Sequence, residues 1–246
     1  MRPLPVVHYL ALNTARPLFR ANPDLRRAVN FAIDRAAILG AYGAYEGTAT
    51  DQYVPSIVPG YRDVRLYPLK HPDLRRARAL AKGHLRGRRA TFYARDDARN
   101  QAIAQIVKAD LAKIGLGVTI KTLPQAVALE KMGTRGEAFD LANFGLTCDP
   151  DPECFLATLD GRTITTSNNI DFSYFDSPRY NRRLAQASAL PMGSARDRAF
   201  GRLDAEVAGK EAPLAALVQR DVGVLVSRRA GCIRAGVLDV SAFCLR

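Results

Sequence analysis

Two hydrophobic periods run along this chain, one near two residues and one near 3.6, and they divide it into strands and helices. Residues 7–13, Val-His-Tyr-Leu-Ala-Leu-Asn, carry strand formers and predict a strand closed by a turn at Asn13. Asn22-Pro23-Asp24 then reads as a helix start, with Asn22 at the N-cap, Pro23 in the first turn and Asp24 at the positive helix end. Leu25, Ala28, Val29, Ala32, Ile33 and Ala36 form one apolar stripe, and Arg26, Arg27, Asn30 and Asp34 lie away from it. The expectation is one helix that Gly40 ends.

Residues 43–67 are rich in turn formers and predict an ordered, irregular excursion. His71-Pro72-Asp73 starts a short helix that Gly83 closes, and a strand follows near 90–93. Residues 97–114 predict a long helix, since Ile103, Ile106, Val107, Leu111 and Ile114 share a face and Gly115 supplies the C′ position. Val118, Ile120 and Thr122 alternate as a half-buried strand that Pro124 stops. A short helix at 125–132, a strand at 139–146 and helices at 152–159 and 178–189 continue the alternation. Ser194-Ala195-Arg196-Asp197 has the form of a capping box and opens a helix bearing Phe200, Leu203 and Val207. Residues 214–226 predict a strand pair or one long strand. Alternating strands and helices argue for an α/β fold, a mixed sheet flanked by helices.

Composition narrows the function classes. The chain has 246 residues, 48% of them hydrophobic and 24% charged, as in an ordinary globular domain. No window approaches a membrane span, and Met1-Arg2-Pro3-Leu4-Pro5 is no signal peptide. The net charge is +12, and residues 62–99 hold twelve basic side chains against four acidic ones. Such a segment attracts anionic surfaces. It comes with neither a recognisable nucleic-acid module nor an aromatic platform, so it reads as a solvated basic face, and no nucleic acid is expected as a partner. Cys148, Cys154, Cys232 and Cys244 suit two disulfides in an oxidising compartment or four unrelated thiols, and the spacing leaves both open. His8, His71 and His84 lack metal-ligand spacing and no C-x-x-C occurs, so neither metal nor cofactor is expected.

Nucleophile-elbow, phosphate-loop, dinucleotide and zinc-protease patterns are absent, which argues against an enzyme. Carboxylates do cluster at Asp149-Pro150-Asp151-Pro152-Glu153, after a predicted strand, where α/β folds place ligands. The bland alternative is a Pro-Asp turn in which Asp151 caps the helix beginning at Pro152.

Several segments, in order, carry a likeness. They begin with Tyr9-Leu10-Ala11-Leu12-Asn13-Thr14 and Pro17-Leu18-Phe19. Leu25 to Ile38 follows, close to the pattern v-R-q-A-l-n-y-A-i-D-r-e-a-I. Then come Pro72 to Leu80, Ala109 to Val118, Phe139-Asp140-Leu141 with Asp151-Pro152 and Phe155-Leu156, and Glu211-Ala212-Pro213-Leu214. Together they resemble the periplasmic dipeptide/oligopeptide-binding proteins, the family 5 solute-binding proteins of ABC transporters.

The resemblance implies the second lobe of a type II periplasmic-binding-protein-like fold. Residues 1–213 would be that lobe, and residues 214–246 a return segment toward a missing N-terminal lobe. It also implies binding rather than catalysis: a peptide or small-molecule ligand held between two lobes and presented to an ABC permease. The setting would be periplasmic or at the cell surface, with the export signal absent from this chain. In the family, an Asp in a g-W-x-x-D loop pairs with the ligand's α-ammonium. Asp149 matches it here, and Leu146, Thr147 and Cys148 share the loop, with Asn13 assigned to the same ligand site. Leu146 stands where the family usually has Trp, which leaves peptides, oligosaccharides and nickel complexes as solute classes. A second reading makes the chain the sensor lobe of a cytoplasmic DNA-binding regulator, supported by the basic segment 62–99.

Overall fold

A computed structural model describes residues 2–43, 45–223, 230–232 and 244–245. In chain order its elements are β1 (Arg2–Leu12), α1 (Pro23–Ala32), α2 (Arg35–Tyr42), β2 (Gly47–Ala49), α3 (Leu74–Ala81), β3 (Arg89–Arg95) and α4 (Ala98–Ala112). They continue with β4 (Gly117–Leu123), α5 (Gln125–Met132), β5 (Leu141–Thr147), α6 (Pro152–Ala157), α7 (Pro178–Ser188), α8 (Ser194–Glu206) and β6 (Leu214–Val222). Two short strands, β7 (Ala230–Gly231) and β8 (Cys244–Leu245), pair with each other. The rest of the expected 214–226 strand and most of the 214–246 return segment lie outside the described residues.

The six-stranded sheet has the order β2-β6-β1-β5-β3-β4. β1 sits in its middle, antiparallel to both β5 and β6, while β3 runs parallel to β4 and β5. Alternation along β1 feeds two cores. Leu10 and Leu12 pack with Leu25, Val29, Ile38, Ile103 and Val107 of α1, α2 and α4 on one face. Val7, Tyr9 and Ala11 pack with Phe155, Leu184, Phe200 and Leu203 of α6, α7 and α8 on the other. A strand buried on both sides reads as a nearly continuous apolar run, as residues 9–12 do. The mixed sheet flanked by helices is therefore the observed class.

The expected helix from Pro23 to Gly40 is two helices. Ile33 is extended (φ −69°, ψ 127°), and Asp34 starts the second helix by accepting the Ala37 N–H at 2.9 Å. The break turns Arg35 inward, where its guanidinium reaches the carbonyls of Ala216 (2.8 Å), Asn30 (2.8 Å) and Thr50 (3.2 Å). Ala36, assigned to the apolar stripe, is consequently exposed.

Arg26 and Asn30, off the stripe, are buried all the same. Arg26 donates to the carbonyls of Phe19 and Glu211, both at 2.6 Å, and Asn30 donates to that of Leu214 at 3.2 Å. The polar flank of α1 thus ties it to the segment entering β6. Asn22 holds the cap position with its backbone carbonyl, which accepts the Arg26 N–H at 3.2 Å, but not with its side chain. Its Oδ1 faces His84 Nδ1 at 3.0 Å, and its amide donates to the carbonyls of Leu18 and His84, each at 2.9 Å. The capping box at Ser194 does not form; the cap position falls on Gly193, at φ 132°.

Candidate functional site

β3, β4 and β5 are parallel, so their carboxyl ends share one end of the sheet. Antiparallel pairing brings the start of β1 and the end of β6 to that same end: Val6 lies opposite Thr147, and Arg2 opposite Val222. The loop after β5 therefore sits where the chain enters and leaves the sheet. The Cys148 N–H donates to the Pro5 carbonyl at 3.2 Å, fixing the start of the loop to β1.

The loop is tied twice more. Cys148 and Cys154 form a disulfide with their Cα atoms 5.9 Å apart, and Cys232 and Cys244 form a second. Of the two readings of the cysteines, the structure takes the bonded one. Asp151 caps α6 by accepting the Glu153 N–H at 2.8 Å, so that carboxylate has the capping role its place before Pro152 suggests. Both of its oxygens also receive the Arg196 guanidinium at 3.1 Å.

Between these ties Asp149 and Thr147 are exposed, Cys148 is buried, and Leu146 is half-buried against the core that holds Phe155 and Phe200. Leu146, Thr147, Cys148 and Asp149 are thus together at one sheet end. Asn13 is not with them. It follows the far end of β1, about 20 Å away at the rise of an extended strand. Its side chain there donates to the Phe139 carbonyl (3.0 Å) and accepts from the Ala15 N–H (3.1 Å), closing a turn.

A second group of polar side chains occupies the same end of the sheet. His8 is the β1 partner of Gly145, and its ring lies 5.1 Å from that of Tyr42 in an edge-on arrangement. The guanidiniums of Arg99 and Arg220 stand 5.1 and 5.3 Å from the Tyr42 ring. Glu46 bridges them at 3.1 and 2.9 Å. Arg95, at the end of β3, donates to Asn100 at 3.2 Å. Burial, and then the positive charges of Arg220, Arg95 and Arg99, lower the His8 pKa to about 4, so the imidazole is neutral at pH 7. Asn143 Oδ1, Arg95 Nε and Arg220 Nε are buried without hydrogen-bond partners among the described residues.

Nothing in the spacing of the sequence announces this group. His8, the Tyr42–Glu46 stretch and Arg220 come from three separate segments that only the sheet register and the packing of α2 bring together. Arg95 and Arg99 were counted in the solvated basic face. The structure removes those two from it, whereas Arg75, Arg76, Lys82, Arg86, Arg88 and Arg89 stay exposed. A cavity of about 520 Å³ lined by Arg62, Ser194 and Arg198 lies on the flank beside α8. Among the described residues no group of His, Cys, Asp and Glu could hold a metal ion, and no helix is long and apolar enough to cross a membrane.

A mixed sheet with helices on both faces is the architecture of periplasmic binding proteins. The model of the bacterial extracellular solute-binding proteins, family 5, matches residues 2–167, and the chain belongs to that family. It is 28% identical over 193 residues to heme-binding protein A of Haemophilus influenzae, covering 75% of this chain and 34% of that protein. The solved structure of clavulanic acid biosynthesis oligopeptide binding protein 2 superposes with a TM-score of 0.80 at 26% identity, over 89% of this chain and 42% of that one. The periplasmic binding protein DppA from Helicobacter pylori, in complex with the peptide STSA, shares the fold with a TM-score of 0.78 at 22% identity, over 100% of this chain and 48% of that one. The chain thus spans less than half the length of these relatives.

Proposed function

We propose that this chain is the second lobe of an extracytoplasmic solute-binding component of an ABC importer. In this reading it closes with an N-terminal lobe over a short peptide or a solute of similar size and charge, and the closed form meets the permease. The expected boundary at residue 214 falls before β6, which belongs to this lobe's own sheet, so only the residues after β6 would lead back to the first lobe. The setting is periplasmic or at the cell surface. The observation that carries the reading is the position of the 145–151 loop, at the sheet end where β1 enters and β6 leaves. A partner lobe joined at those strands would face that loop.

The charges there suit a zwitterion. Asp149 offers a carboxylate to a cationic group, through a charge-assisted hydrogen bond of about 1.5–3 kcal/mol. At the same end of the sheet Arg95, Arg99 and Arg220 stand against Glu46 and Asp97 and supply the positive charge for an anionic group. Leu146, half-buried in the loop, adds apolar surface beside Asp149. Calorimetry of the full-length protein with tri-alanine tests this reading. Micromolar binding that persists at moderate salt supports it, and no heat with any of a panel of di- to pentapeptides overturns it.

A further inference from the structure

The loop that carries Asp149 is held by a side chain remote from any ligand contact. We propose that Arg196 is a positioning residue, which with the Cys148–Cys154 disulfide holds Asp149 in its ligand-binding position before any ligand arrives. The inference rests on the reading of that loop as a ligand contact.

Arg196 lies in the first turn of α8, its side chain only 5% exposed. Its guanidinium meets both oxygens of Asp151 at 3.1 Å and Glu153 Oε2 at 2.5 Å, and its carbon stands 4.7 Å from the centre of the Phe200 ring. A planar fork matched to a carboxylate fixes direction as well as distance, which a lysine does not do. α8 is itself immobilised. Phe200 is fully buried, and the Asp204 carboxylate accepts the Tyr53 N–H at 3.1 Å. The loop's geometry is thereby referred to a helix anchored in the core.

The disulfide is the second tie, fixing Cys148 to Cys154 at the other margin of the same loop. Between Cys148 and Asp151 only Asp149 and Pro150 remain, and proline holds its own φ near −65°. The Asp149 carbonyl accepts the Asp151 N–H at 2.6 Å, closing the turn. An exposed carboxylate with so few free backbone angles loses little entropy when a ligand binds. Neither tie reaches the exposed face of Asp149, so the effect of Arg196 on binding runs through position alone.

The test compares Arg196→Lys and Glu153→Gln with wild type in the full-length protein, using tri-alanine and N-acetyl-tri-alanine as probes. Arg196→Lys is expected to weaken tri-alanine binding about tenfold and Glu153→Gln about threefold, with the acetylated peptide unaffected. Amide exchange of Glu153 and Cys154 should accelerate in both variants. Wild type reduced with a phosphine, which with water opens both disulfides to thiols as it becomes its oxide, should show the same selective loss. Cys232→Ser/Cys244→Ser, which removes only the second disulfide, should not show it. Equal weakening of both peptides, or an unchanged ratio of their affinities, overturns the positioning role while leaving the proposed function in place. Should Arg196→Lys fail to fold, Glu153→Gln and the reduced wild type decide by the same ratio. Wild type that binds neither peptide overturns the proposed function and the positioning role with it.

Discussion

The His8 imidazole lies over the backbone of Gly145 so closely that a β-carbon there would stand 2.7 Å from Cε1 and 2.9 Å from Nε2. Replacing a strand glycine by alanine ordinarily stabilises, through the backbone entropy of the unfolded chain. Here the methyl group would drive the ring out of its place against Tyr42. Gly145→Ala is therefore expected to destabilise by about 1–3 kcal/mol in urea denaturation, the usual range for overpacking. His8→Ala introduced with it should recover most of the loss. A double variant no more stable than Gly145→Ala alone would show that the contact is not what confines position 145 to glycine.

Asp149 is the exposed carboxylate in the loop, and the proposed function gives it a cationic ligand group. Asp149→Ala in the full-length protein should weaken binding of tri-alanine by about tenfold to a hundredfold, as loss of one charge-assisted hydrogen bond does. N-acetyl-tri-alanine should bind the variant and wild type alike in calorimetry. Equal losses for both peptides would remove the assigned role.

Arg35 is fully buried, has no salt bridge among the described residues, and spends its guanidinium on carbonyls of Asn30, Thr50, Pro68 and Ala216, with Asn30 Oδ1 as a further acceptor. Arg35→Met keeps the length of the stem and leaves those acceptors unsatisfied, at about 1–3 kcal/mol for each one that water cannot reach. The expected loss is about 3 kcal/mol or more by chemical denaturation. A loss under about 1 kcal/mol would mean that water satisfies the acceptors instead.

Asp171 and Asp204 are carboxylates that burial raises to about pH 7, against the pull of the backbone N–H groups they accept. An acid whose folded pKa lies above its unfolded value binds more protons folded, so its stabilisation is present below about pH 4 and fades as pH rises to about 7. His8 opposes this. Lowered to about 4, it makes the fold more stable as pH rises from about 4 to 6.5. Burial raises Asp221 as well, so the acids outweigh the one base and leave a net fall between pH 4.5 and 7, on the order of 1.4 kcal/mol per pH unit. Urea midpoints taken across that window check the sign. Asp204→Asn should flatten the slope by about one proton, and an unchanged slope would remove Asp204 from the account.

Much of the fold was legible because local signals agreed with the global one. The helix of residues 98–112 and the strand of residues 117–123 appeared where periodicity, Gly115 and Pro124 placed them. The stretch 23–40 was misread, since a 3.6-residue pattern continues across Ile33 and Asp34 while the backbone does not. Asp34 can cap a new helix only because its own N–H finds Asp110 of α4 at 2.8 Å, a partner no local window contains. The loop of residues 145–151 was legible as an acidic loop that follows a strand. The cluster around His8 was not, because its members become neighbours only through sheet register.

Taken alone, the amino-acid sequence determined the alternation of strands and helices, the end of the sheet that carries the acidic loop, and the family to which the chain belongs. These depend on short-range geometry: side-chain periods, proline and glycine placement, and motif order. Tertiary structure alone decided that Arg26 and Arg35 turn inward, that Cys148 meets Cys154, and that His8, Arg95, Arg99 and Arg220 share one end of the sheet. Those outcomes depend on which distant carbonyls and charges packing brings within about 3–5 Å, the range over which a hydrogen bond or a partly buried charge acts.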